Sequence, residues 1–334
     1  SMTDQFLYPD KAGALVAHDV GMLDLTNEQY HAGPGISKSK LDAIAISPLN
    51  YWDQYENPDR EPREYKHAFA VGDGTHKLVL EPGTFEQTYA VGFDKSAHTG
   101  ALNTIDDLKQ ALNARNLPAR GSKPELIRLL QEEDPSIPIM AVLEAEHNKS
   151  MVGKIPLPAS DYKNMLRMLQ AVNQHHTAGP LLLGASVEQS FFCPGPTGVL
   201  RKCRTDVITY DGAFVVDLKT TDDVSAAGFR RTIEQRRYNV QAAWYLDILR
   251  DLYGDEAPQG FAFIAAQKYR PFDVAVHILD DDQLRLGRLL YQRDEALLIE
   301  CLRTNTWPGV DMGQVITTGL SPYAARQLLE MEPA

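Results

Sequence analysis

Arg204-Thr205-Asp206, Phe214-Val215-Val216-Asp217-Leu218-Lys219-Thr220-Thr221 and Gln241-Ala242-Ala243-Trp244-Tyr245 are the segments from which the rest of the chain is read. Phe214, Val215 and Val216 form an aromatic and β-branched run that predicts a buried strand leading into Asp217. Side chains alternate along a strand, so Asp217 and Lys219 share one face while Leu218 turns to the core. A carboxylate and an amine fixed side by side on a strand can hold a divalent cation and manage a water. Residues 199–210 predict a preceding strand that carries Asp206, and Asp211-Gly212 is a strong hairpin signal between the two. The hairpin brings the aspartates together. Residues 232–253 predict one long helix, on which Gln241 and Tyr245 share a face, being four apart. Ala242 and Ala243 let that helix lie close to another element.

Composition sets the outer limits. The 334 residues can bury a sizeable core, and 43% hydrophobic with 23% charged residues describe an ordinary globular protein. No apolar run approaches the roughly 20 residues that span a bilayer, and no signal peptide is visible. Cys193, Cys203 and Cys301 have neither metal-ligand spacing nor a disulfide pattern, so the expected compartment is the cytoplasm. A formal net charge of −12 argues against a general nucleic-acid coat protein. It tolerates an enzyme that admits DNA at one guarded place. Basic residues cluster at Arg201, Lys202 and Arg204 beside Asp206, and at Arg230, Arg231, Arg236 and Arg237 before Gln241.

Around this centre the chain reads as alternating helices and strands. Residues 1–25 carry no strong signal. Residues 30–39 are turn-rich and lead into an amphipathic helix capped by Ser37 or Ser39, which Ser47-Pro48 ends. This segment reads equally as a packing element or as one whose Lys38 or Lys40 meets a polyanion. Residues 132–160, acidic and dotted with prolines, read as a return linker. Residues 162–174 predict a helix, 187–193 a strand carrying Glu188, 261–266 and 274–279 two more strands, and 284–302 a closing helix.

The pattern D-x10-D-x-K followed by Q-x3-Y resembles the active site of the PD-(D/E)xK nuclease superfamily, and Q-x3-Y narrows the likeness to its RecB-like exonuclease branch. Gly35-Ile36-Ser37-Lys38-Ser39, Ser47-Pro48-x2-Tyr51, Gly74-Thr75-His76 before Val79-Leu80-Glu81-Pro82, and residues 301–308 are similar to the exonuclease VIII (RecE-like) family. The likeness covers roughly residues 28–310. It implies an α/β fold, a mixed β-sheet flanked by helices, and a Mg²⁺-dependent exonuclease in which Mn²⁺ can substitute. Asp206, Asp217, the Leu218 carbonyl and His76 are the implied ligands. Lys219 would position a water and stabilise developing charge, and Gln241 and Tyr245 would orient the substrate or Lys219. Glu188 matches a family glutamate and is expected to ligate, to support a ligand, or to serve as an edge-strand charge. Resemblance further implies 5′-to-3′ digestion of double-stranded DNA ends, a toroidal tetramer and a single-strand annealing protein as partner. Thr205 stands where the superfamily name places proline, a difference of backbone shape rather than chemistry. Three cysteines are too few for an iron–sulfur subtype.

Residues 102–131 differ in character and resemble a SAP motif, a DNA-binding helical hairpin. Leu108-Lys109, Leu112, Leu117, Gly121, Lys123, Glu125-Leu126-Ile127 and Leu130 carry the likeness. Asn116 replaces a usual glycine, and Arg128 falls one place early. Its Lys109, Arg115, Arg120, Lys123 and Arg128 are the expected DNA contacts, with Arg204, Arg236 and Arg237 in the core. The expected division is 1–100 for the first part of the exonuclease domain, 101–135 for the hairpin, 136–310 for the nuclease core and 311–334 for a tail. The alternative is a DNA-end-binding scaffold that recruits a recombinase. The intact Asp206, Asp217 and Lys219 set favours the enzyme.

Overall fold

A computed structural model describes residues 5–9, 15–61 and 67–333, with side chains from residue 20 onward except at 67 and 68. Its centre is a six-stranded sheet in the spatial order Val274–Ile278, Gly260–Gln267, Phe214–Thr221, Leu200–Ile208, Ser186–Pro194 and Gly21–Leu23. Phe214–Thr221 and Gly260–Gln267 run parallel, and every other pairing is antiparallel. The parallel pair needs a crossover, which the helices Ala226–Gln235 and Tyr238–Tyr253 supply. Helices cover both sheet faces. Val215, Phe261 and Phe263 pack with Val240, Ala243 and Trp244 on one side, whereas Val216, Leu218, Ala262 and Ile264 pack with Leu80 and Val172 on the other. This is the mixed α/β architecture, a sheet flanked by helices, that the family resemblance implies.

The sheet is interrupted in one place. The Asp206 strand pairs with the Asp217 strand only at Val207↔Val216 and Ile208↔Val215. Asp206 joins no further rung, and its carboxylate takes the Leu218 N–H at 2.9 Å instead. On the other flank, ladder pairs lie to either side of Glu188, at Val187↔Val207 and Gln189↔Thr205, while Glu188 itself is left-handed with φ +52°. Cys203 and Val207 have the same parity along their strand, yet they belong to different cores. The strand therefore changes face at Asp206, and the sheet splays open there.

The residues foreseen as one helix over 232–253 form two. Ala226–Gln235 ends at Arg236, and Arg237 is left-handed at φ +57° before Tyr238–Tyr253 begins. The second helix is held by the closing helix Asp281–Thr304, and the two backbones nearly touch. A Cβ at Gly287 would lie 2.1 Å from the Asn239 carbonyl oxygen, so only glycine permits this approach.

The segment read as a linker contains structure. Met140–Ser150 is a helix, and Ile155–Leu157 pairs in parallel with Tyr89–Val91. Local hydrophobic periodicity there is weak, and the strand exists only because a distant segment pairs with it. Between these two strands the helices Ile105–Ala114 and Lys123–Glu133 of the inserted hairpin start at capping boxes, Thr104 with Asp107 and Ser122 with Glu125. They enclose their own core of Leu108, Leu112, Leu126, Leu130 and Ile139. A bridge between Leu102 and Ile139 closes the neck, and Asn116 takes the left-handed conformation (φ +56°) expected of it. At the N-terminus, Gln5–Pro9 pairs with Leu15–Asp19, and Gly21–Leu23 forms the sheet edge. The tail foreseen at 311–334 includes the helix Pro322–Met331. Among the described residues no helix is long and apolar enough to cross a membrane.

Candidate active site

His76 lies on the helix His67–Leu80, whose far end packs Leu80 into the sheet. That anchorage aims the imidazole at the splayed strands. Its Nε2 is 2.6 Å from Asp206 Oδ2 and its Nδ1 is 3.3 Å from Glu188 Oε1. Ligand atoms of His76, Glu188 and Asp206 all lie within 4.8 Å of one another, a spacing that one metal ion can bridge. The left-handed backbone at Glu188 is uncommon for a side chain of this size and costs about 1 kcal/mol. It sits where the carboxylate enters the cluster.

Asp217 is 2% exposed, and its two oxygens meet different groups. Oδ1 accepts from Gln241 Nε2 at 2.7 Å. Oδ2 lies 2.8 Å from Lys219 Nζ, but in a direction that leaves this buried oxygen without an aligned hydrogen bond. It keeps capacity to coordinate. The Lys219 ammonium also lies 4.5 Å from the centroid of the Tyr238 ring and 6.0 Å from that of Phe263. Leu218 contributes its N–H to Asp206 and its side chain to the core.

These neighbours set the charges. Burial opposes a charge on His76, but Asp206 and Glu188 outweigh it and hold the imidazole up at about 9. Burial, then Asp206, push Asp217 up to about 6 against the pull of Lys219. Burial and Asp206 likewise raise Glu188 to about 7, opposed by His76 and Arg204. Asp206 is driven below the usual carboxylate range: burial works against its charge, and His76, Lys219 and the Leu218 N–H overcome it. Lys219 is raised despite burial, chiefly by Asp217. Without a metal, the site is a compact acidic cluster neutralised by one imidazolium and one ammonium.

The structure brings together His76, Glu188, Asp206, Asp217, Lys219 and Gln241 from five separate stretches of sequence. Tyr245 joins less directly, meeting Phe261 edge-on at 6.1 Å from the same helix face as Gln241. The expected basic surface of the core is largely internal. Arg204 is bound to Glu188 (2.9 Å), the Ser190 hydroxyl (2.7 Å) and the Leu25 carbonyl (2.9 Å). Arg237 pairs with Asp42 and Asp294, Arg201 with Asp251, and Lys202 donates to the Tyr30 and Gly33 carbonyls. Arg204 and Arg237, foreseen as DNA contacts, are thus consumed inside the fold, because buried carboxylates and carbonyls need donors. Arg236 remains exposed. Lys38 is tied to Asp42 (2.6 Å) and to the Arg236 carbonyl (3.1 Å), and Lys40 to the Gly35 carbonyl (3.1 Å). In the hairpin, Arg115, Arg120 and Arg128 are exposed and Lys109 and Lys123 partly so; Arg128 pairs with Glu132 at 2.7 Å. Sequence reasoning missed Tyr238, although it lies three residues before Gln241 and so on the same helix face.

Comparisons agree with this geometry. Residues 37–315 match the family model described as a PDDEXK-like domain of unknown function (DUF3799). Among solved structures, a protein from Eubacterium rectale described as a "Putative exonuclease" aligns at a TM-score of 0.55 with 14% identity. The alignment covers 91% of this chain and 98% of that one. At that identity the likeness establishes the fold alone. A second structure, of SSO0001, aligns at a TM-score of 0.24 with 15% identity over 56% of this chain and 84% of that one, and carries no argument. No curated protein matches the chain. The strand-borne Asp206, Asp217 and Lys219, the sheet that carries them and the family match over residues 37–315 have one joint meaning: the chain belongs to the PDDEXK-like DUF3799 family, within the PD-(D/E)xK nuclease superfamily.

Proposed function

We propose that the protein is a divalent-metal-dependent exodeoxyribonuclease that degrades linear double-stranded DNA from its ends. The observation that carries this reading is the meeting of His76, Glu188 and Asp206 with Asp217 and Lys219 at the splayed edge of the sheet. Carboxylate oxygens suit Mg²⁺, the imidazole nitrogen also suits Mn²⁺, and the spare acceptor on Asp217 Oδ2 fits a cation. His76, Asp206 and Asp217 would hold the ion, with the Leu218 carbonyl and Glu188 nearby. Such an ion supplies Lewis-acid polarisation of the scissile phosphate and a water of lowered pKa. Lys219, fixed by Asp217, orients the attacking water and offsets charge that develops on the phosphate oxygens. Gln241 holds Asp217 through Oδ1, leaving Oδ2 directed to Lys219 and the cation. To coordinate, His76 must give up its proton.

Within this reading, digestion runs 5′ to 3′ and leaves 3′ single strands for an annealing protein. The protein acts as a toroidal oligomer, and the SAP-like hairpin grips duplex DNA. The deciding experiment incubates end-labelled linear duplex and covalently closed circular DNA with Mg²⁺, Mn²⁺ or EDTA. Metal-dependent shortening of the linear substrate alone supports the proposal. Binding of ends without shortening in either metal refutes hydrolysis and leaves a DNA-end scaffold. Cutting of the circle refutes the end requirement.

A further inference from the structure

We infer that Tyr238 is the positioning residue for Lys219, its aromatic face holding the lysine ammonium in line with the cluster. This rests on the hydrolytic reading of the site. The nearest electrostatic partners of Lys219 are Asp217 at 2.8 Å and the Tyr238 ring at 4.5 Å, with the Phe263 ring farther off at 6.0 Å and Asp206 acting at longer range. Asp217 would share with a bound divalent cation the charge that now faces Lys219. The ring is a partner for which no cation ligand competes, so it keeps the ammonium in place once that charge is shared. The fold also fixes the ring. Tyr238 is the first residue after the helix break, and the left-handed Arg237 before it is tied down by Asp42 and Asp294. Phe263 lies against the ring at 5.5 Å and 31°, and Phe229 at 6.3 Å. A second ammonium, Lys38 Nζ, sits 5.7 Å from the same centroid. It is anchored by Asp42 and the Arg236 carbonyl, so it cannot take the place of Lys219. Two cations drawn to one partly buried ring mark its face as an electrostatic element as well as a packing one.

The test separates the face of the ring from its bulk. Tyr238 is replaced by Phe and then by mono-, tri- and pentafluorophenylalanine, which keep the ring's outline while draining electron density from its face. On linear duplex with saturating Mg²⁺, kcat should fall stepwise along the series, by about tenfold overall, with KM and Tm unchanged. In the metal-free protein, the ε-methylene protons of Lys219 should show an upfield ring-current shift, assigned by its loss in Lys219→Arg. The shift should persist in Tyr238→Phe and vanish in Tyr238→Leu. A flat kcat across the series in an active enzyme overturns the inference, and so does a Lys219 resonance indifferent to Tyr238→Leu. An inactive wild type would count against the hydrolytic reading, and the ring-current measurement would still decide the Tyr238 contact.

Discussion

Raising the pH of the metal-free protein from about 6 to about 10 removes the proton that His76 holds between Asp206 and Glu188. The folded imidazole keeps that proton up to about 9, against 6.5 for an ordinary histidine. A folded value above the unfolded one means that the stabilisation is complete below 6.5 and is lost as the pH climbs through 9. The difference amounts to about 3 kcal/mol, or about 4 °C in Tm for a chain of this length. Lys202 works in the opposite sense. Burial pulls its folded value down to about 7 from 10.5, so its penalty is relieved as the pH rises through that window. Two carbonyls and the Tyr30 ring at 4.5 Å support its charged form and reduce the effect. Wild-type slope alone therefore decides nothing. The comparison is made between Glu188→Gln and His76→Gln/Glu188→Gln, which removes the other group titrating near 7. Differential scanning across the pH range should show the His76-containing protein losing stability relative to its partner, by less than the wild-type shift of about 4 °C because Glu188→Gln also removes one of the carboxylates that raise His76. Saturating Mn²⁺ should stabilise it more at high pH than at low, since coordination needs neutral imidazole. Parallel pH curves for the two variants would falsify the account of an imidazolium held by Asp206.

Asp217→Ala should abolish metal-dependent hydrolysis while end binding in Ca²⁺ persists; a pure, folded variant that keeps most activity sinks the site assignment. Lys219→Met should lower kcat with the Mg²⁺ midpoint unchanged, read from initial rates across a Mg²⁺ titration. Gly287→Ala places a methyl group against the Asn239 carbonyl and should cost about 3 kcal/mol in urea unfolding, whereas the exposed Gly319→Ala should be neutral. Replacing residues 103–138 with a short Gly/Ser linker should leave hydrolysis intact but flatten the salt dependence of DNA binding. Lys109, Arg120 and Lys123 are the hairpin cations with no ion pair among the described residues, so the log–log slope should become less steep by about 3. An unchanged slope in an active deletion variant removes the hairpin from the DNA interface.

The centre of the molecule was legible because its signals are local. Alternation around Asp217, the Asp211-Gly212 turn and the spacing of Gln241 from Tyr245 each specify a strand, a hairpin or a face within a few residues. What escaped depends on partners far along the chain. Arg204 and Arg237 read as surface cations until Glu188, Asp42 and Asp294 are seen beside them. Residues 155–157 read as linker, with Pro156 in their midst, because their strand is completed only by Tyr89–Val91. The helix break at Arg237 leaves no glycine or proline in the sequence to announce it. A non-glycine residue takes the left-handed turn there, held by its two carboxylate partners. Tyr238, just beyond, was missed for the same reason.

The pairing of Tyr89–Val91 with Ile155–Leu157 returns the chain, after the whole hairpin excursion, to a neighbouring strand. A polypeptide severed within the excursion would yield two fragments with unequal shares of the chemistry. The first would carry His76; the second would carry Glu188, Asp206, Asp217, Lys219 and Gln241. Neither fragment alone has a complete ligand set, and the parallel pairing of Tyr89–Val91 with Ile155–Leu157 would lay one fragment beside the other. Fused to two associating proteins, the halves would form a nuclease that assembles on demand, its activity reporting that the carriers have met.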